Sequence, residues 1–192
     1  MTETILFFAT SILLGIALAM DAFSVSLTVG LREPHIKKER VLLAAGMFGG
    51  FQFLMPLLGR LGIGTMLKAF GKLQDFIPVI AFLVLLVLGV KMLLDGIKAK
   101  EKEEPEEVSK HALILQGVAT SLDALSVGFT VFAEYSLLRS VTASLLIGGV
   151  TFLLCILGVL IGRKVGTVLK NKAFILGGII LIAIGIEILI KG

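Results

Sequence analysis

Residues 21–29, DAFSVSLTV, return at 123–131 as DALSVGFTV, with six of nine positions identical at an offset of 102. The same offset relates GTMLK at 64–68 to GTVLK at 166–170, and GVKMLLDG at 89–96 corresponds to GIEILIKG at 185–192 at an offset of 96. Three blocks that match in the same order mark an internal duplication. Working outward from them, a bilayer core needs about 20 largely apolar residues per helix. Six segments meet that need: 4–31, 41–61, 76–97, 112–133, 137–161 and 173–190. The expected fold class is therefore an all-α membrane protein of six transmembrane helices, built as two three-helix repeats. Closed β-barrels alternate apolar and polar residues, and these long uniform runs do not. Three crossings is an odd number, so the second repeat must enter the membrane inverted. The expected division is 1–97 and 111–192 as the two repeats, with 98–110 as a charged linker.

Composition agrees. Of 192 residues, 57% are hydrophobic and 17% charged, and the mean hydropathy is +1.04. Such a chain cannot cover itself with the polar surface a soluble domain requires. Its 22 glycines suit helices that approach closely in lipid, where no hydrophobic effect drives them together. The net charge of +4 sits in short segments between apolar runs, which argues against a nucleic-acid partner and for a lipid one. Glu3 stands where a signal peptide would carry a basic region, so the first run reads as a permanent span. Cys155 is the single cysteine and offers no intrachain disulfide.

The linker KAKEKEEPEEVSK carries four lysines, five glutamates and a proline, a composition expected to be disordered. Segments following spans 1, 3 and 5 hold twelve of the 18 Lys and Arg, against five on the other face, and Lys91 lies inside span 3. The positive-inside rule then places the linker in the cytoplasm and both termini outside.

Asp21 and Asp123 occupy the matching point of each repeat, near the middle of spans 1 and 4. A lone carboxylate at bilayer depth costs about 3 kcal/mol or more unless something offsets it. One such residue reads equally well as a protonated packing group, but two at equivalent positions of an inverted repeat read as a paired acidic site. Ser24 and Thr28 follow Asp21 at i+3 and i+7, and Ser126 and Thr130 follow Asp123 at the same spacing, so each set shares one helical face. Thr120 and Gln116 extend the second stripe at i−3 and i−7. In span 2, Pro56 removes the hydrogen bond that would reach the carbonyl of Gln52, so one residue offers both a main-chain and an amide oxygen. The second repeat has no counterpart to Gln52 or Pro56, and the site is expected to be asymmetric. Gly46–Gly50 and Gly158–Gly162 are GxxxG patterns that close packing explains. His35 and His111 flank spans at one face and make a poor metal cage.

Carboxylate, hydroxyl, amide and carbonyl oxygens form a hard, anionic ligand set suited to Mn²⁺, Mg²⁺ or Ca²⁺ rather than to thiophilic Cu⁺. The thioethers of Met20 and Met55 tilt it weakly toward a transition metal. The residues thus point to a cation transporter, with Asp21, Asp123, Gln52, Ser24, Thr120, Ser126, Thr28 and Met20 as candidate ligands. They leave Mn²⁺ against Mg²⁺ open and indicate no resident cofactor, the metal being cargo. No pattern specifies an oligomeric state.

MDAFSVS at 20–26, FQFLMPLLG at 51–59 and ATSLDALSVG at 119–128 resemble the signature stretches of the bacterial manganese efflux pumps, the MntP family, which is related to the LysE-type exporters. The resemblance extends over essentially the whole chain. It implies an exporter of Mn²⁺ in the bacterial cytoplasmic (inner) membrane and maps the family's important aspartates onto Asp21 and Asp123. In some relatives the Gln52 position is glutamate, so this chain has one acid fewer for metal or proton. Two rivals remain. The wider superfamily raises an exporter of a small organic cation or amino acid, although the chain has no Trp for an organic substrate's walls. An intramembrane aspartyl protease would use two aspartates, yet AMDA and SLDA lack the glycine-flanked motif of such enzymes.

Overall fold

The computed structural model describes residues 2–61, 77–98, 108–169 and 171–191. All regular structure among these residues is helical: α1 (Thr2–Arg32), α2 (Lys38–Leu61), α3 (Ile77–Lys98), α4 (Lys110–Ala119), α5 (Leu122–Thr130), a 3₁₀ turn (Phe132–Glu134), α6 (Leu137–Leu169) and α7 (Asn171–Lys191). Helices satisfy every backbone group within the segment, which lipid demands of an apolar run. Four stretches among the described residues are long and apolar enough to cross a membrane: Thr2–Arg32, Lys38–Leu61, Lys110–Thr130 and Leu137–Gly166. α3 and α7 contain shorter apolar stretches, Leu85–Leu94 and Ile175–Glu187. The repeat block at 64–68 and most of the linker, 99–107, lie outside the described residues.

Two expectations need correction. The fourth span is not one helix over 112–133, because it breaks between α4 and α5 at Thr120 and Ser121. Asp123 therefore stands in the first turn of a second short helix, and Gln116 and Thr120 do not continue its stripe. The fifth span runs on to Leu169, past the expected end at 161. Arg163 and Lys164 end the hydropathy signal but leave the helical hydrogen bonds intact.

Helices of the first half of the chain pack mainly on helices of the second half: α1 on α6, α3 on α7, and α2 on α6 and α5. Glycine contacts give the directions. Gly15 meets Ile147 and Val150, Gly158 meets Phe23, and Gly162 meets Leu27, so α1 and α6 run parallel. Gly117 meets Phe51 and Gly128 meets Pro56, so α2 runs parallel to α4 and α5. Gly49 meets Phe152 while Gly148 meets Phe53, which makes α2 and α6 antiparallel. Gly89 lies on Gly178 and Gly185 on Leu85, which makes α3 and α7 antiparallel as well.

The closest approaches are backbone on backbone. A Cβ on Gly128 would lie 2.1 Å from the carbonyl oxygen of Pro56, and one on Gly162 would lie 2.1 Å from that of Leu27. Only glycine fits at either crossing. The pattern Gly158–Gly162 thus packs as expected, but Gly46 and Gly50 meet nothing within 4 Å. They lie on a face of α2 turned away from the other helices, so a shared motif does not imply a shared contact.

Apolar side chains form two clusters. One contains Ala22, Val25, Val29, Phe48, Leu85, Leu113 and Cys155. The other contains Leu18, Ala124, Phe132, Ala143 and Ile147, with Phe7, Met55 and Tyr135 against it. Along α1 the boundary falls between Leu18 and Ala22, at the turn that carries Asp21.

Candidate functional site

Gln52 is completely buried at this boundary. Its Nε2 donates to the carbonyl oxygen of Leu18 at 2.7 Å and to that of Thr120 at 3.2 Å. Leu18 and Thr120 are equivalent at the repeat offset of 102, and each stands three residues before an aspartate of the pair. One amide therefore ties together the two backbone turns that carry Asp21 and Asp123. The other amide atom, Oε1, is buried and has no hydrogen-bond partner among the described residues. A buried acceptor left unpaired costs about 1–3 kcal/mol, which a cation ligand would repay.

The break beside Thr120 explains how its carbonyl is free to accept. In an unbroken helix the N–H of Ala124 would reach that oxygen. Here it donates to Oδ1 of Asp123 at 2.8 Å. The hydroxyls at the break turn onto carbonyls of the preceding turn: Thr120 donates to that of Gln116 at 2.9 Å, which also keeps the backbone N–H of Thr120, and Ser121 donates to that of Gly117 at 2.8 Å, whose helical partner, the N–H of Ser121, has turned to Val118. Short hydroxyl side chains substitute in this way for lost helical bonds. Asp123 also sits at the N-terminal end of α5, where the helix dipole favours a carboxylate. α1, in contrast, runs unbroken past Asp21.

The remaining candidates are distributed less tightly. Asp21 is half-buried and Asp123 exposed. Ser24 donates to the carbonyl of Met20 at 2.9 Å, Thr28 to that of Val25 at 2.7 Å, and Thr130 to that of Ser126 at 2.9 Å. Their protons are committed to their own helices, which leaves only oxygen lone pairs to offer a cation. Ser126 is half-buried. Met20 is 50% exposed, one residue before Asp21 and about 100° around the helix from it. Among the described residues no three or more His, Cys, Asp or Glu side chains cluster as a metal cage. A cation here must therefore draw on amide, hydroxyl and carbonyl oxygens beside the carboxylates.

Both ends of the bundle carry polar ties that a reading of the sequence missed. At one end Arg60 donates to the carbonyl of Phe132 at 2.7 Å, to Oγ of Ser140 at 2.9 Å and to the carbonyl of Tyr135. Tyr135 stacks there on Phe132 and meets Phe7 edge-on. At the other end the buried Glu33 pairs with Arg40 at 3.0 Å and accepts from the backbone N–H of Val108. Arg40 in turn donates to the carbonyl of Val108 at 2.8 Å. Glu33 and Tyr135 are again equivalents at the offset of 102, the one signal that would have drawn attention to them.

Residues 33–189 match the family described as "Putative manganese efflux pump". Three relatives bear that description followed by MntP. The one from Methanosphaera stadtmanae is 40% identical over 179 residues, covering 93% of this chain and 97% of the relative. That of Clostridium perfringens strain 13 is 39% identical over 203 residues, covering 94% and 92%. The one from Methanobrevibacter smithii is 41% identical over 180 residues, covering 93% and 95%. No solved structure matches the chain.

Proposed function

The chain belongs to the manganese efflux pump family, and from that premise we propose that it exports Mn²⁺ across the cytoplasmic membrane by alternating access, in exchange for protons. It is a multi-pass membrane protein. In this reading α3 and α7 are the third and sixth crossings, and residues 1–97 and 111–192 are inverted repeats. The antiparallel courses of α2 against α6 and of α3 against α7 support the inversion. Inverted repeats supply two related end states around a site near the midplane, and a broken helix commonly lies at that site.

The observation that carries the reading is the bridge from Gln52 to Leu18 and Thr120. It couples the turns of the two aspartates and leaves an amide oxygen ready for a hard cation. Mn²⁺ would be held by Asp21, Asp123 and Oε1 of Gln52, with lone pairs from Ser24, Ser126 and the Thr120 region. Carboxylates that release the metal can take up protons, which couples the two flows. Arg60 with the Phe7–Tyr135–Phe132 cluster closes one end of the path, and Glu33 with Arg40 and Val108 closes the other. Thr28 and Met20 lie off this centre, on the linker side and on the outer face of α1.

The deciding experiment reconstitutes purified protein in liposomes and follows Mn²⁺ and Mg²⁺ flux, with and without a pH gradient, for wild type and Asp123→Asn. The expected result is Mn²⁺-selective flux that responds to the gradient and disappears in the variant. Folded wild-type protein that moves amino acids or organic cations but no metal would overturn the reading.

A further inference from the structure

A small cleft of about 10 Å³, room for about one water-sized group, lies among α1, α3, α4 and α7, lined by Thr28, Arg32, Met92, Val108, Ala112 and Gln116 among others. None of the roles described so far uses it. Thr28 stands seven residues beyond Asp21 on the same face of α1, about 10 Å along the helix axis. Arg32 ends that helix, and Val108 lies at the foot of the linker. The cleft therefore runs along the Asp21 face toward the linker side of the molecule. Gln116, in α4, stands one turn before Thr120 and is 4% exposed. Its Oε1 is buried and has no hydrogen-bond partner among the described residues. A buried amide oxygen beside such a cleft is a neutral acceptor for water and a ready ligand for a cation that enters.

We propose that Gln116 is a transit ligand, whose Oε1 receives the dication in the cleft and passes it between the linker side and the aspartate pair. The inference rests on the manganese-export reading and adds a second site to it. An amide oxygen is a neutral, hard ligand, suited to Mn²⁺ without holding it as a carboxylate would. The guanidinium of Arg32 on the same cleft further weakens residence there. A waystation must bind well enough to admit the ion and weakly enough to release it.

The test measures initial Mn²⁺ flux in proteoliposomes against Mn²⁺ concentration on the linker side, for wild type, Gln116→Leu, Gln116→Met and Gln116→Glu. Methionine matches glutamine in length and guards against a leucine variant that fails to fold. Loss of the oxygen in the Leu and Met variants should raise the apparent KM about tenfold, with the maximal rate within about twofold of wild type. The Glu variant keeps an oxygen and should return KM to within about threefold of wild type. A KM unchanged in the folded Leu or Met variant, or a loss confined to the maximal rate, would overturn this inference and leave the central site standing. Wild-type protein with no Mn²⁺ flux would instead sink the export reading, and this inference with it.

Discussion

The carbonyl oxygens of Leu18 and Thr120, 102 positions apart in the chain, accept hydrogen bonds from a single nitrogen, Nε2 of Gln52. Each lies one turn before an aspartate. A polar node of this kind makes two distant turns move as one body. It also makes the centre asymmetric, because the repeat equivalent of Gln52 is Leu154. Whatever exchange of inner and outer openings occurs must preserve or replace those two bonds.

Gln52→Leu removes the shared donor and leaves two carbonyls without it. Stability should fall by about 2–3 kcal/mol at about 1 kcal/mol or more per buried bond, read as a lower thermal midpoint in detergent. Mn²⁺ flux in proteoliposomes should fall more than tenfold. Wild-type stability and flux in this variant would show that the bridge carries neither.

Asp21→Asn and Asp123→Asn should separate function from folding. Asp123 is exposed and Asp21 half-buried, and Asn preserves their shape, so gel filtration and thermal midpoint should stay near wild type. Flux should drop to the background of empty liposomes in both. Wild-type rates in either variant would remove that residue from the site.

Gly128→Ala drives a methyl group against the carbonyl of Pro56, where the gap is 2.1 Å. Overpacking of this kind costs about 1–3 kcal/mol, and the crossing of α2 and α5 has backbone on both sides, so the upper end is expected. Gly50→Ala meets nothing within 4 Å and should be neutral or stabilising by up to about 1 kcal/mol through helix propensity. Equal midpoints for the two variants would contradict the packing described.

Arg60→Met deprives two carbonyls and a serine hydroxyl of their donor. A charged donor contributes about 1.5–3 kcal/mol, so the thermal midpoint should fall clearly. Arg139→Met, at an exposed position on α6, should change stability by no more than about 0.5 kcal/mol. A larger effect at position 139 than at 60 would dismiss the tie as a stabilising element.

From the distribution of Lys and Arg, both termini are expected outside. A reporter active only in the cytoplasm, fused to the C-terminus, should remain silent, and the same reporter inserted in the linker should be active. Activity at the C-terminus would reverse the orientation.

The amino-acid sequence by itself determined the helical, lipid-facing character of the chain, since four long apolar runs in which every backbone group must bond internally leave little other choice. The offset of 102 also located Asp21 and Asp123 as a pair, because a duplicated block carries its chemistry with it. Hydropathy averages over about 20 residues, however, and a two-residue interruption at Thr120 and Ser121 does not disturb the average. The hydroxyl of Thr120 reads in the sequence as part of the Asp123 stripe, whereas in the structure it and that of Ser121 bond carbonyls of the preceding turn. Gln52, Arg60 and Glu33 each reach partners between 34 and 80 residues away, and no local periodicity encodes contacts at that range. Only the tertiary structure, by packing α2 of the first half against α5 and α6 of the second, decided that an amide in one half holds the backbone of both.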